Sequence, residues 1–231
     1  MNIAILGTGL IGASLGLALR RTGLATTIVG FDRSRAHADR ARRIGAIDRV
    51  ARSPAAAARG ADVVVIAVPV FAIVKTARAA RPARGAIVTD VGSVKAPIVA
   101  ALDAPNFVGA HPLAGSDHSG PDAASATLFR GRTCVVTRGA KTSARAGRAV
   151  SRLWSSVGAR VVHAGAETHD RLMALSSHVP HLVAFGLALQ AQPLARAWVA
   201  PSLREMTRVA GSDPALWREI LLANRAVPEM L

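Results

Sequence analysis

Short apolar runs alternate with longer amphipathic segments along the first two thirds of the chain. The runs are almost continuous in Val, Ile, Leu and Ala, which is typical of strands covered on both faces of a parallel sheet. They predict strands at residues 2–6, 27–31, 63–68, 86–89 and 107–110. The segments between them have helical length and Ala-rich composition, and they predict helices at 10–21, 34–44, 70–80 and 95–102. This alternation predicts an α/β fold, Rossmann-like, with a doubly wound and mostly parallel sheet.

The pattern changes in the last third of the chain. Strands at 133–137 and 160–163, with a helix near 143–157, are expected to extend the sheet, and no strand pattern follows residue 164. Helices are predicted instead at 167–192, 202–210 and 213–224. We therefore expect a dinucleotide-binding domain at 1–164 and an all-helical C-terminal domain at 165–231.

Composition limits the classes of function. The single cysteine, Cys134, lies in an apolar run, so it is a predicted core residue; with no second cysteine for a disulfide, this usage fits a reducing compartment. The N-terminus lacks the pattern of a signal peptide. The longest apolar run recognised in the sequence, 63–74, is interrupted by Pro69 and is too short to span a bilayer. These features predict a cytoplasmic protein with no membrane segment.

The formal net charge of +15 raises the question of a nucleic-acid partner. The basic residues are scattered along predicted helices, and the aromatic side chains that would stack on bases are not interleaved with them. We expect a solvated, Arg-rich surface and no specific nucleic-acid binding.

A glycine pattern stands between the first predicted strand and the first predicted helix. It matches G-x-G-x-x-G and consists of Gly7, Thr8, Gly9, Leu10, Ile11 and Gly12. In such a turn the first glycine allows the tight bend, the second lets a pyrophosphate approach the backbone, and the third lets helix and strand pack closely. The helix N-terminus offers N–H groups and a partial positive charge to phosphates. The pattern predicts dinucleotide binding.

Asp32 supports this prediction because it ends the second strand about 20 residues after Gly12. A carboxylate there accepts hydrogen bonds from a ribose 2′-hydroxyl and repels a 2′-phosphate, which favours NAD over NADP. The neighbouring Arg33 leaves NADP open, and a turn or helix-capping role is the alternative for Asp32. Val68 and Pro69 end another strand at the same sheet edge and are expected to line the nicotinamide side.

His111 and Ser93 follow two further predicted strands, at the edge where open α/β sheets bind ligands. An imidazole there can act as a general base toward a substrate hydroxyl, and the Gly- and Ser-rich loop after His111 favours a catalytic role over a structural one. For Ser93, capping the N-terminus of a helix is as strong a hypothesis as a catalytic role.

Polar residues of the helical region form a second group. His178 and His181 share one helix face, and Pro180 is expected to kink that helix beside them; two histidines alone make an incomplete metal site, so no metal is expected. The planar guanidinium of Arg208 can bind a substrate carboxylate through two hydrogen bonds. The alternative is that this segment only forms a corner between two helices. Trp217 by itself is more typical of a core position.

Together, the segments 7–12, 91–95, 111–120, 177–181 and 207–217, in this order, resemble the prephenate and arogenate dehydrogenase family of tyrosine biosynthesis. The resemblance covers nearly the whole chain. It implies NAD-dependent oxidative decarboxylation of a cyclohexadienyl acid, with hydride passing from the hydroxyl-bearing ring carbon to nicotinamide as CO2 leaves.

The resemblance also implies roles for individual residues. His111 matches the catalytic histidine, Ser93 the serine that orients it, and Arg208 the carboxylate-binding arginine. The pocket positions correspond to Ser116, Asp117, His178, His181 and Trp217. Asp117 departs from the family, where a longer glutamate is common at that position.

Prephenate is the expected substrate, with arogenate as the alternative. The alternative hypothesis from a different functional class is a nucleotide-binding relative of these enzymes with impaired catalysis. Family members usually continue with further helix that helps to form a homodimer, whereas this chain ends at Leu231. A homodimer is expected, and whether its interface is complete is an open question.

Overall fold

Contacts along the chain separate it into two units, Met1–His169 and Asp170–Leu231. The computed structural model describes residues 1–116, 118–192 and 198–231. Asp117, predicted to contact substrate, lies outside the described residues.

Within the described part of the chain, eight strands form one sheet in the first unit. They are β1 (Asn2–Leu6), β2 (Thr27–Phe31), β3 (Arg49–Val50), β4 (Val63–Ile66), β5 (Ile87–Asp90), β6 (Phe107–Pro112), β7 (Thr133–Thr137) and β8 (Arg160–His163). Their order is β3-β2-β1-β4-β5-β6-β7-β8, and all neighbours are parallel except the antiparallel pair β6 and β7. The first six strands have the order of a Rossmann sheet, which confirms the predicted fold class.

Helices connect the parallel strands. They are α1 (Leu10–Thr22), α2 (Arg35–Arg43), α3 (Pro54–Ala58), α4 (Val70–Ala80), α5 (Ala96–Ala101) and α6 (Ala144–Ser156). The hydroxyls of Ser34, Ser53 and Ser143 accept hydrogen bonds from backbone N–H groups in the first turns of α2, α3 and α6. These caps satisfy N–H groups that lack a partner within the helix, so they mark where each helix begins.

Aliphatic side chains fill the core around the central strands. Every residue of β4 and β5 is buried, as expected for strands covered on both faces. Two aromatic side chains also pack in this core, with the rings of Phe129 and Trp154 edge to face at 5.2 Å. Cys134 is buried as predicted, and burial raises the pKa of its thiol.

Three strands of the sheet and one helix differ from the sequence predictions. Strand β4 ends at Ile66 rather than 68, and the short β3 and α3 were not predicted as complete elements. Strand β6 was predicted at 107–110 but continues to Pro112, so His111 lies within the strand. The extension arises because β7 pairs with it, with His111 opposite Val135. Pairing with a distant strand is not visible in the local apolar pattern.

A buried ion pair joins β5 to β6. The Lys95 ammonium contacts the Asp90 carboxylate, and both side chains are fully buried. Lys95 Nζ also donates to the carbonyl oxygen of Ala110, at 3.0 Å, and Asp90 Oδ2 accepts from the Gly92 N–H at 2.8 Å. Burial raises the pKa of the Asp90 carboxyl, and the adjacent ammonium opposes that shift. These bonds hold the loop at residues 91–95 against the residue that precedes His111.

The second unit is helical. Helix α7 (Ala166–Met173) begins before it and is followed by a π-helical turn, Ala174–His178. Then come α8 (Val179–Ala191), α9 (Pro201–Thr207), a 3₁₀ turn (Arg208–Gly211) and α10 (Pro214–Ala223). The π turn ends two residues before Pro180, in agreement with the irregularity expected where proline lacks an N–H.

Among the residues that the structure describes, one helical stretch is long and apolar enough to cross a membrane by length and composition. It covers residues 166–191 at a mean hydropathy of 1.5, and 17% of its apolar window is buried. The sequence prediction of no membrane segment rested on 63–74 and passed over this helix. A helix of a soluble protein can meet the same criterion.

The buried ion pair yields a prediction about stability. Lys95→Met removes the ammonium while keeping an aliphatic stem, and so leaves the Asp90 carboxyl buried without its cation. We expect the free energy of unfolding of the first unit to fall by about 3–5 kcal/mol, measured by urea denaturation followed by circular dichroism. Lys75→Met, at an exposed position of α4, is the matched control. A Lys95→Met protein as stable as the control would contradict a structural role for the pair.

Candidate functional site

The glycine-rich turn lies where β1 ends and α1 begins. Gly7 has a φ of 98°, which favours glycine, and a Cβ at this residue would overlap the carbonyl of Ala67 at the end of β4. A Cβ at Gly12 would overlap the carbonyl oxygen of Gly7. These two glycines therefore allow the tight bend and the close packing of helix on strand.

Gly9 differs from its neighbours in the turn. It has an ordinary negative φ, and a Cβ there would meet nothing within 4 Å. Gly9 caps α1 without a side-chain hydrogen bond, so its open space lies at a helix N-terminus that no side chain caps. A backbone open to approach beside such a terminus fits the pyrophosphate of a dinucleotide. Thr8 is buried, and Leu10 and Ile11 are half-buried.

Asp32 links the end of β2 to this turn. Its Oδ2 accepts from the Thr8 N–H at 2.7 Å and from the Thr8 hydroxyl at 3.2 Å, and its Oδ1 accepts from the Ser34 N–H at 2.8 Å. The turn role weighed for Asp32 is thus present. Because a carboxylate offers about four acceptor positions, these bonds still leave capacity for a ribose hydroxyl. Arg33 beside it is exposed.

The end of β4 completes the predicted cofactor edge. Ala67 N donates to the Leu6 carbonyl oxygen at 2.6 Å, which holds the ends of β4 and β1 side by side. Val68 follows half-buried, and Pro69 is the exposed N-cap of α4. The structure therefore brings the glycine-rich turn, Asp32 and residues 67–69 to one edge of the sheet, where a doubly wound fold binds its ligand.

His111 is buried in β6 against a second histidine. Its Nδ1 lies 2.8 Å from Nε2 of His169, and the two rings meet at 71°. His111 is 9% exposed and His169 is 2% exposed. A ring nitrogen bonded in this way sets the orientation of the imidazole and couples its tautomer to that of its partner. His169 was missed from sequence because it stands 58 residues away, on α7, with no local motif around it.

Ser93 and Ser116 lie on the two loops that flank His111. Ser93 is half-buried in the loop at 91–95, which Lys95 holds against Ala110. Ser116 is exposed, and its hydroxyl accepts from the His118 N–H at 3.2 Å. The loop that contains Ser116 returns to α1, where Ser125 N donates to the Ser14 hydroxyl at 3.0 Å.

The second unit stacks an imidazole on an indole. The rings of His181 and Trp217 are 3.5 Å apart and nearly parallel, at 16°. The His181 ring nitrogen Nδ1 donates to the Ser177 carbonyl oxygen at 2.9 Å. Burial lowers the pKa of His181, and the nearby Arg208 guanidinium lowers it further. The lowered pKa favours the neutral ring, and in that form the bond from Nδ1 to the carbonyl oxygen leaves Nε2 as a hydrogen-bond acceptor.

His178 and Arg208 occupy different environments in this unit. His178 is 1% exposed, with its ring edge to face against Trp217 and its Nδ1 hydrogen-bonded to the Asn224 side chain. Arg208 is exposed in the 3₁₀ turn and lies close enough to affect His181 electrostatically. The structure thus groups four of the predicted substrate residues of the helical region. Asn224 is a second residue that sequence reasoning missed.

Metal binding was weighed for the two histidines of the helical region. Among the residues the structure describes, no group of three or more His, Cys, Asp and Glu side chains is arranged to hold a metal ion.

Comparison with known proteins covers both units. A family model described as prephenate dehydrogenase, nucleotide-binding domain, matches residues 15–163, and one described as prephenate dehydrogenase, dimerization domain, matches residues 165–231. The glycine-rich turn at 7–12 precedes the first of these ranges.

Individual relatives agree with the family models. The chain is 38% identical to a cyclohexadienyl dehydrogenase of Zymomonas mobilis, over 96% of this chain and 80% of that protein. It is 35% identical to a prephenate dehydrogenase of Bacillus subtilis, over 97% of this chain, but spans only 64% of that protein's length. A crystal structure of prephenate dehydrogenase from A. aeolicus, in complex with hydroxyphenyl propionate and NAD+, superimposes with a TM-score of 0.93 at 32% identity, covering 99% of this chain and 85% of that one.

The glycine-rich turn yields a prediction about cofactor binding. Gly9→Ala places a methyl group in the open space at the start of α1 without disturbing the fold, because nothing occupies that space. We expect NAD to bind at least about tenfold more weakly, measured by calorimetry, with an unchanged thermal unfolding midpoint. Gly85→Ala makes the same change at another open position and is the control. Full NAD affinity in Gly9→Ala would show that the dinucleotide does not approach this turn.

Proposed function

Because the chain belongs to the prephenate dehydrogenase family, we propose that it catalyses the NAD-dependent oxidative decarboxylation of prephenate to 4-hydroxyphenylpyruvate, a reaction of tyrosine biosynthesis. The observation that carries this proposal is the buried His111 with Nδ1 bonded to His169, in the same unit as an open glycine-rich turn. The family models assign a nucleotide-binding domain to the region that contains His111.

The first unit, with residues 1–164 as its functional domain, binds NAD. The backbone around Gly9 and the N-terminus of α1 hold the pyrophosphate, Asp32 accepts from the adenosine ribose, and Val68 and Pro69 border the nicotinamide. Bound NAD supplies the oxidant, which takes a hydride from the ring carbon that bears the hydroxyl. Asp32 makes NAD the preferred cofactor because its carboxylate repels the extra phosphate of NADP.

His111 accepts the proton of the substrate hydroxyl and later returns it. With Nδ1 donating to His169, Nε2 accepts a hydrogen bond from the hydroxyl and takes its proton as the carbonyl forms. When the C–C bond to the carboxylate breaks, its electrons move into the ring and onto that oxygen as CO2 leaves. His111 then returns the proton, which gives the phenol of the product. Ser93 orients this histidine and the substrate hydroxyl.

The second unit, within the functional domain 165–231, recognises the rest of the substrate. Arg208 binds a carboxylate through its planar guanidinium, a geometry suited to two parallel hydrogen bonds. Trp217, stacked on His181, offers a rigid apolar surface to the cyclohexadienyl ring. His178 supplies a polar contact from this unit, and Ser116 is a substrate contact of the first unit.

Arogenate is the second candidate substrate. The relative of 38% identity is named a cyclohexadienyl dehydrogenase, which favours a broader choice of cyclohexadienyl acid. Arogenate carries an ammonium where prephenate carries a ketone, so a contact to that group decides between them. A side chain that accepts hydrogen bonds suits arogenate, and one that only donates suits prephenate.

The apolar face of the second unit fits a homodimer in the cytoplasm better than a membrane. Five large side chains of α7 to α10 are more than half exposed: Leu172, Leu175, Leu189, Met206 and Leu222. The family model that covers this region describes a dimerization domain. A second copy of the chain covering this face accounts for the apolar helix at 166–191. Sedimentation velocity without detergent is expected to show twice the chain mass, whereas a monomer or a requirement for detergent would exclude this assignment.

The direct test of function combines each substrate with each cofactor. Purified protein is mixed with prephenate or arogenate and with NAD or NADP, and the absorbance of reduced nicotinamide is followed. Turnover of prephenate with NAD is expected. Turnover of arogenate alone would select the second candidate, and NAD binding without turnover of either acid would show an impaired relative.

His111→Asn tests the proton-handling step. Asparagine keeps a polar group near the position of Nδ1 but cannot accept a proton, so we expect kcat to fall by about 10²–10⁴-fold while NAD affinity is unchanged. Steady-state kinetics and calorimetry measure the two quantities. His163→Asn, at an exposed residue of β8, is the control. A kcat close to that of the control would exclude His111 as the base.

Arg208→Ala tests the carboxylate clamp. Loss of charge-assisted hydrogen bonds is expected to raise the KM for prephenate by about 10–100-fold, with a smaller effect on kcat and none on the KM for NAD. Arg225→Ala removes an exposed arginine from the same unit and is the matched control. An unchanged KM in Arg208→Ala would assign carboxylate binding to another residue.

A further inference from the structure

A cavity of about 240 Å³ lies in the first unit, at the end of α1 opposite the glycine-rich turn. Its walls come from three segments: the end of α1, residues 126–130, and the end of α6 with the turn that follows it. Helix α1 has 13 residues, so at a rise of about 1.5 Å per residue it spans about 20 Å. The cavity is therefore separate from the open space at Gly9, where a dinucleotide approaches the backbone.

Two arginines give this cavity its charge. Arg21 and Arg130 line it, and no carboxylate is among its lining residues. Within the part of the chain that the structure describes, neither of them forms an ion pair, whereas Arg20, Arg35 and Arg40 do. Two guanidinium groups at one cavity without a carboxylate partner create a positive potential that attracts anions.

A structural alternative is that these cations complement the C-terminal ends of α1 and α6, because the carbonyl end of a helix favours positive charge. Local bonds already satisfy carbonyl groups there. The Leu19 oxygen accepts from the Thr22 hydroxyl at 2.8 Å, and the Leu153 oxygen accepts from the Ser156 hydroxyl at 2.7 Å. Each helix end carries roughly half a negative charge, so two full positive charges exceed both ends together. The cavity keeps a surplus of positive charge.

Backbone contacts hold the wall that contains Arg130. The Gly131 N–H donates to the Gly158 carbonyl oxygen at 2.8 Å, and the Arg130 N–H donates to the Thr127 carbonyl oxygen at 3.0 Å. Gly158 has a φ of 85°, and a Cβ there would lie 3.4 Å from Arg130 Cα and 3.6 Å from its Cγ. The stem of Arg130 therefore lies against the turn after α6, and its guanidinium extends from a restrained backbone.

The remaining lining residues limit the size and chemistry of a ligand. Ala18 and Val157 are buried and Ala126 is half-buried, so part of the surface is apolar, while the exposed Thr127 adds a hydroxyl. Pockets for drug-sized ligands measure about 300–1,000 Å³, so this cavity suits a smaller molecule. A matching ligand has an oxyanion for the guanidinium groups and a short carbon skeleton for the apolar side chains.

We propose that this cavity binds a small phosphate monoester, with its phosphate held by Arg21 and Arg130 and its carbon skeleton against Ala18 and Val157. A phosphate monoester carries close to two negative charges at neutral pH, which matches two guanidinium groups. Its three terminal oxygens can accept hydrogen bonds from both groups at once. The cavity contains none of the residues proposed to bind prephenate or NAD, so this assignment does not depend on the proposed reaction.

Titration of the ¹⁵N-labelled full chain with glycerol 3-phosphate tests the site by NMR. Saturating NAD is present, so that the glycine-rich turn is occupied and cannot bind the phosphate. We expect the amide resonances of Thr127, Arg130 and Gly158 to shift, with a Kd of about 1 mM or lower. Glycerol at the same concentrations is the neutral control and is expected to shift none of them. No shift at these residues, or shifts seen only without NAD, would overturn the proposal.

Arg21→Gln and Arg130→Gln test the two cations. Both residues are exposed, so we expect an unchanged thermal unfolding midpoint and a Kd for glycerol 3-phosphate raised at least about tenfold in each variant. Arg59→Gln removes the same charge from an exposed residue of the first unit outside the cavity and is the matched control. Equal affinity in the three variants would show general attraction to a basic surface and no specific site.

Two further measurements define the chemistry of the ligand. Malonate carries two carboxylates and no phosphate, and we expect it to bind more weakly than glycerol 3-phosphate. Equal or tighter binding of malonate would contradict the assignment to phosphate monoesters. Thr127→Glu places a carboxylate on the cavity wall, and we expect it to abolish binding because the arginines then have an anionic partner within the protein. Full affinity in Thr127→Glu would show that the phosphate does not enter this cavity.

Discussion

The buried contact between Lys95 and Asp90 holds together the part of the sheet on which the proposed chemistry depends. Both charges are fully buried, and their attraction, with further hydrogen bonds to Lys95 Nζ and Asp90 Oδ2, offsets the cost of removing them from water. Those bonds reach Gly92 and Ala110. The ion pair therefore joins the end of one parallel strand, the following loop and the neighbouring strand at the residue before His111. Ser93 and His111 lie on elements that this contact restrains.

The order of the strands places the cofactor edge next to that contact. The chain runs from β1 outward to β2 and β3 and then resumes on the other side at β4. The ends of β1 and β4 therefore diverge into helices on opposite faces and leave a crevice. Gly7 and Gly12 allow the backbone to pack tightly there, while Gly9 leaves space for a ligand. At the point where the strand order reverses, the backbone packs so closely that a Cβ at Gly7 or Gly12 would overlap neighbouring backbone atoms.

Two buried histidines are held by different kinds of partner, and the difference suits different tasks. His111 bonds to another imidazole, whose ring nitrogen donates or accepts according to its tautomer. His178 bonds to an amide whose other contacts fix its orientation, so its tautomer is set. The first arrangement is compatible with the proton transfer proposed for His111, and the second holds the His178 ring in one orientation.

The sequence alone determined the features that depend on neighbouring residues. Strands β1 and β2 and helix α4 have the predicted bounds, because apolar periodicity and turn residues report directly on local structure. The glycine-rich turn and Asp32 were recognised from spacing within one βαβ unit. Proline at 180 predicted an irregular helix, and a π turn ends two residues before it.

Only the tertiary structure decided the contacts between distant residues. The continuation of β6 to Pro112 depends on pairing with β7, and the partners of His111 and His178 lie 58 and 46 residues away. Neither His169 nor Asn224 stands in a pattern that local periodicity can distinguish from other helical polar residues. Local preferences specify which elements form, whereas the partner of a buried polar group depends on how those elements pack.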